Sequence, residues 1–129
     1  MRVLALDYGA ARTGVAVSDA TGTIARPLGV VERAASEHGL AEVRDLVLEH
    51  EADRIVVGMP VTLRGERGAQ ALETDAFVGA LRAVVSVPVE TYDERFTTAL
   101  AAREGGAAAE DARAAAHLLE SYLERLAGR

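Results

Sequence analysis

The chain has 129 residues, half of them hydrophobic, with three histidines, no cysteine and a formal net charge of −6. That length suits one core, so residues 1–129 are read as a single domain, and the missing thiols exclude a disulfide framework and thiolate metal sites, leaving carboxylates and oxygen-preferring ions. The acidic balance speaks against a general nucleic-acid coat protein but not against a nuclease, because a carboxylate-bound divalent ion itself brings positive charge to a phosphate.

Residues 2–6 form a short apolar run that leads directly into Asp7. This is a strand and not a signal peptide, and no other run approaches the ~20 apolar residues needed to cross a bilayer, so a soluble cytoplasmic protein is expected. Residues 14–18 repeat the pattern after a loop containing Gly9, giving a hairpin. A third strand is read over 24–31, where Pro27 calls for an edge or an irregularity. From Ser36, a plausible N-cap, the period changes, and Leu40, Val43, Leu46 and Val47 share one helical face. Ile55, Val56 and Val57 are consecutive apolar residues in a strand read over 54–58, the pattern of burial on both faces. Residues 60–68 read as a loop, 69–84 as a second helix and 87–92 as a fifth strand. Thr97 or Thr98 caps a short helix ending at Gly105 and Gly106, and a last helix runs from about Glu110 to Leu126.

Three strands followed by helix, strand, helix, strand and helix specify an α/β sandwich in which an antiparallel hairpin joins parallel strands. Ligands in such sheets gather beyond the strand carboxyl ends. Asp7 follows the first strand, Gly58 the fourth, and Asp93, Glu94 and Arg95 the fifth. Phosphodiester hydrolysis assisted by Mg²⁺ or Mn²⁺ fits that convergence, since two ions must be gripped by acidic residues from several elements while positions stay open for water and phosphate. Asp7 and Glu94 are candidates, with Asp93 a neighbouring competitor. Asp111 is the third, leading a face of small and apolar residues, Ala114, Ala115, Leu118 and Tyr122.

Each of these residues also has a plainer reading. An Asp before Tyr-Gly can be a turn former, Glu94 can pair with Arg95 at the surface, and Asp111 suits the first turn of a helix through the dipole. Gly9 and Gly14 serve either a phosphate approach or a tight hairpin. Arg12, Arg64, Arg67 and Arg95 border the crevice and are the candidates for phosphate contacts. His38, His50 and His117 lack paired metal-ligand spacing and are read as structural.

Taken in order, Leu6-Asp7-Tyr8-Gly9, Gly14-Val15-Ala16-Val17, Val56-Val57-Gly58-Met59-Pro60, Asp93-Glu94-Arg95-Phe96-Thr97-Thr98 and Asp111 with Ala114-Ala115, Leu118-Leu119-Glu120 and Tyr122-Leu123 resemble the YqgF-type family, also called RuvX. These are Holliday-junction-resolvase-like and pre-16S ribosomal RNA processing nucleases with an RNase H-like fold. The resemblance implies a five-stranded mixed sheet of order 3-2-1-4-5 with the first strand central. It implies Asp7, Glu94 and Asp111 as the catalytic, metal-holding set, with Gly9, Gly14, Gly58, Asp93 and Thr97 in support. The implied function is a metal-dependent endonuclease acting on structured nucleic acid, precursor rRNA ahead of branched DNA, where a symmetric junction would favour a homodimer. Two rivals stand beside it. An ATP-binding domain of the actin, Hsp70 and sugar-kinase type shares the first-strand Asp but needs two such domains, and a catalytically silent RNA- or ribosome-assembly-binding module shares the fold.

Overall fold

A computed structural model describes residues 1–60, 68–94 and 108–128, with the side chains of Glu94 and Ala108 outside that set. Its elements are β1 (Val3–Asp7), β2 (Arg12–Ser18), β3 (Ala25–Glu32), α1 (Glu37–Glu49), β4 (Arg54–Pro60), α2 (Ala69–Arg82), β5 (Val89–Glu94) and α3 (Ala108–Leu126). They form one sheet of order β3-β2-β1-β4-β5. β1 and β3 run antiparallel to β2, while β4 runs parallel to both β1 and β5. Arg64, Arg67, Arg95 and Thr97, the loop read over 60–68 and the short helix read over 97–105 fall on positions wholly or largely outside the described residues.

Strand alternation divides the core in two. Leu4, Leu6, Val15, Val17, Ile55 and Val57 point to one face, where α1 and α2 bring Val43, Val47, Phe77, Val78 and Leu81. Val3, Ala5, Ala16 and Val56 point to the other, where, among the described residues, α3 supplies Ala115, Leu118, Leu119, Tyr122 and Leu123. β1 and β4 are buried on both faces, as the unbroken apolar runs predict. Pro27 lies on the edge strand β3, and the β2–β3 register shifts between Val15 and Ala16, so both expectations for that proline hold. Ser36 caps α1, its hydroxyl oxygen accepting the Gly39 N–H at 3.0 Å.

The strand ends differ from the sequence reading. β4 continues past Gly58 to Pro60, and β5 continues past Tyr92 through Asp93 and Glu94, the two strands pairing up to Pro60 and Glu94. A strand stops where its neighbour stops offering backbone partners, not where the apolar residues run out. Asp93 and Glu94 are therefore strand residues and obey its two-residue period. Among the described residues no helix is long and apolar enough to cross a membrane.

The far end of α3 is tied to the beginnings of the parallel strands. Arg54 Nη1 donates to the Tyr122 hydroxyl at 2.8 Å and lies 3.0 Å from Glu90 Oε2. The Tyr122 hydroxyl in turn donates to the Glu90 carboxylate at 2.9 Å. Burial, foremost, raises the Tyr122 pKa, so the phenol stays protonated and available as a donor. Beside it, Tyr92 packs edge-on against Tyr122 at 5.7 Å, and its hydroxyl lies 2.7 Å from Ser121 Oγ. Tyr122→Phe keeps the ring but strips one partner from Arg54 and one from Glu90, and we expect a loss of about 1–2 kcal/mol in urea unfolding.

Candidate active site

Asp7 is the last residue of β1 and is only 3% exposed. It has the parity of Val3 and Ala5, which places it on the α3 face. Its partner across β2 is Gly14. On the other side, Gly58 lies one residue beyond Val57, the β4 partner of Leu6, and has the parity of Val56 on the same face. Asp7 is thus flanked on both neighbouring strands by residues without side chains.

Gly14 is explained by what lies above it. A Cβ built there would stand 1.9 Å from the Asp111 carbonyl oxygen and 2.5 Å from its carbonyl carbon. The helix backbone rests directly on the strand, a contact open to glycine alone. Of the two readings of Gly14, neither the hairpin nor a phosphate is the one the packing requires; helix-to-sheet approach is. Gly9 is not among the positive-φ glycines, which in the described residues are Gly22, Gly29 and Gly128. Its amide and carbonyl instead face the Thr13 hydroxyl at 3.4 and 3.3 Å, which ties the β1–β2 turn together.

Because the Asp111 backbone sits over Gly14 and Gly14 pairs with Asp7, the first turn of α3 lies one strand away from Asp7, although the two acids come from opposite ends of the sequence. Asp111 is 6% exposed. The first turn of α3 carries Glu110 as well. Glu110 Oε2 and Asp111 Oδ2 are buried oxygens that accept no hydrogen bond. The positive end of the α3 dipole favours negative charge here, whether carboxylate or phosphate. Arg12, at the start of β2, brings Nε to 2.7 Å from Asp111 Oδ2, close enough for an ion pair but without the alignment of a hydrogen bond.

β5 separates the two acids that compete for the third position. Asp93 is exposed, pairs with Met59 and shares parity with Val89, which packs on the α1/α2 side. Glu94 has the parity of Glu90 and Tyr92, whose side chains meet α3. Its backbone stands two strands from Asp7 and two residues further along, a separation of roughly 12 Å for ordinary strand spacing. Among the described residues no group of three or more acidic or histidine side chains is placed to hold a metal ion; the Glu94 side chain is not one of those residues. The His117 side chain is 63% exposed and lies 3.2 Å from Glu120, and His38 and His50 likewise pair with neighbouring glutamates on their own helix or at its end.

A buried carboxylate at a strand end, a second in the first turn of the helix above the neighbouring strand and the N-terminus of that helix suit a hard divalent cation, whose oxygen ligands Asp111 Oδ2 and Glu110 Oε2, which accept no hydrogen bond, could provide. The fold is RNase H-like. Its likeness to a solved structure titled "T. thermophilus RuvC in complex with Holliday junction substrate" extends over 99% of this chain and 96% of that one, with a TM-score of 0.63 and 21% identity. The model of the RuvX family, described as "Holliday junction resolvase", matches residues 1–125. The chain belongs to the RuvX family. A protein of Chloroflexus aggregans named "Putative pre-16S rRNA nuclease" is 46% identical over 99 residues, 77% of this chain and 70% of that one. A protein of Anaeromyxobacter sp. with the same name is 40% identical over 133 aligned positions, covering 96% and 97% of the two chains.

Proposed function

We propose that this member of a nuclease family cuts phosphodiester bonds in structured RNA, at the 5′ end of precursor 16S rRNA in the cytoplasm, with divalent ions held by Asp7, Glu94 and Asp111. The observation that carries the reading is the seating of the Asp111 backbone on Gly14, the strand partner of Asp7, which supports a shared site for two buried acidic residues from the two ends of the chain. The names of the relatives favour precursor rRNA. When bound, two Mg²⁺ or Mn²⁺ ions would lower the pKa of an attacking water and stabilise the leaving oxygen.

The chain's own residues have distinct parts in this scheme. Asp7, fixed by β1 and flanked by glycines, is the rigid carboxylate. Asp111, carried by α3, closes the site from above, and the α3 N-terminus attracts a phosphate. Glu94 fits the third position better than Asp93, which the pleat assigns to the opposite side of the sheet. Arg64, Arg67 and Arg95 are assigned to the sugar-phosphate backbone. With few aromatic residues for stacking bases, recognition rests on backbone and shape.

A second reading is favoured by one observation, the shared fold with RuvC. Here the substrate is a four-way DNA junction and the active form a homodimer that matches its symmetry. Purified protein incubated with precursor rRNA fragments and with four-way junctions, in Mg²⁺, Mn²⁺ or EDTA, separates the two. We expect cleavage of the rRNA fragment that stops in EDTA, and cleavage of the junction alone would give the second reading precedence. Glu94→Gln should abolish cleavage while Asp93→Ala leaves it within about threefold of wild type. Cleavage that persists in EDTA would overturn the metal-dependent mechanism.

A further inference from the structure

Arg12, a candidate for a phosphate contact, is engaged with Asp111. Its Nε stands 2.7 Å from Asp111 Oδ2. The two atoms attract as charges, yet the N–H does not point at the oxygen, which accepts no hydrogen bond. Such a contact is non-directional, and another cation can take its place. The two partners also differ in freedom. The Asp111 side chain is 8% exposed and its backbone rests on Gly14, whereas the Arg12 side chain is 35% exposed on a long flexible stem. Arg12's backbone is fixed by its pairing with Glu32 and by the hydrogen bond from the Arg33 amide to the Ala11 carbonyl at 3.0 Å. When the pair separates, the guanidinium is the part that can move.

We propose that Arg12 is a positioning residue that serves as a stand-in cation. It balances Asp111 while no metal is bound, yields the carboxylate when a divalent ion arrives, and then turns outward to a phosphate of the nucleic acid. The proposal rests on the assignment of Asp7 and Asp111 to the metal. Arg12 and the ion share one carboxylate, so each weakens the other's hold on it. Loading the ion also frees a positive charge at the mouth of the crevice, so metal and nucleic acid bind with positive coupling. By linkage the coupling is reciprocal, and nucleic acid tightens the metal by the same factor.

The test is Mn²⁺ titration of the full chain without nucleic acid, by calorimetry and by the Mn²⁺ resonance signal, on wild type, Arg12→Ala, Arg12→Gln, Arg12→Lys, Asp7→Asn and Asp111→Asn. Removing the competing charge should tighten Mn²⁺ by about five- to tenfold in Arg12→Ala and Arg12→Gln, while Arg12→Lys, which restores the charge, stays near wild type. Arg12→Gln keeps most of the stem and stands in for the alanine variant should that variant unfold. In a second measurement, an rRNA fragment is bound in Ca²⁺ over a range of salt. Wild type should show a log–log salt slope steeper by about one than Arg12→Gln, the signature of one additional phosphate contact. Mn²⁺ affinity unchanged or weakened in both neutral variants would overturn the stand-in role, and so would a lysine variant that binds as tightly as they do. Equal salt slopes would overturn the outward turn to phosphate. Mn²⁺ affinity that survives both Asp7→Asn and Asp111→Asn would instead remove the metal site itself, a result distinct from either.

Discussion

Asp7→Asn should reduce phosphodiester cleavage by on the order of a thousandfold or more, about 4 kcal/mol of transition-state stabilisation, while the protein folds as before. The side chain is 3% exposed at the end of β1, and asparagine fills the same space. What is lost is the charge. Metal binding reads that loss directly. An ion that binds only the folded state stabilises it by about 2.7 kcal/mol at a hundred times its dissociation constant, so Mn²⁺ should raise the wild-type melting temperature and leave that of the variant almost unmoved. Cleavage within tenfold of wild type, or an equal Mn²⁺ response in both proteins, would refute the assignment of Asp7.

Gly14→Ala should damage both fold and activity. The new methyl would meet the Asp111 carbonyl oxygen at 1.9 Å, and neither can rotate out of the way, since the oxygen is main chain and a Cβ is fixed by its own backbone. α3 must lift by more than an ångström over the strand, which we put at about 3 kcal/mol, or roughly 10 °C in melting temperature. Because the lifted residue is Asp111 itself, cleavage should fall by about a hundredfold even where the variant is fully folded. Gly79→Ala is the matched control. Gly79 is exposed within α2 with no atom within 4 Å of its built Cβ, so alanine there should add about 0.5–1 kcal/mol through helix propensity. Similar melting temperatures for Gly14→Ala and wild type would show that the helix yields easily and that the close approach carries no weight.

Much of this architecture was legible from residue order. The apolar runs gave the strands, the consecutive Ile55, Val56 and Val57 marked β4 as internal, and Pro27 marked β3 as an edge. The strand ends were not legible, because Asp93 and Glu94 are polar and join β5 only through the partners β4 offers them. With the ends misplaced, the alternation that sets Asp93 and Glu94 apart could not be applied. Gly14 was ambiguous for a different reason: its constraint comes from a helix that the chain reaches only near its other end. The Arg12–Asp111 pair has no local signal at all, since a charge near a turn and an acid in a first helical turn each look complete by themselves. The acidic set was drawn largely from the family resemblance; what the fold adds is the seating of the Asp111 backbone on Gly14, the strand partner of Asp7.

The bonds among Tyr122, Arg54 and Glu90 make α3 a lever with its fulcrum at the far end. About 16 Å of helix separates Tyr122 from Asp111, so a tilt of roughly 4° at the base sweeps the carboxylate through about 1 Å. A displacement of that size is enough to cost an enzyme about two orders of magnitude in rate. Substitutions around Tyr122 should therefore register in turnover as well as in stability, although Tyr122 lies about three helical turns from Asp111.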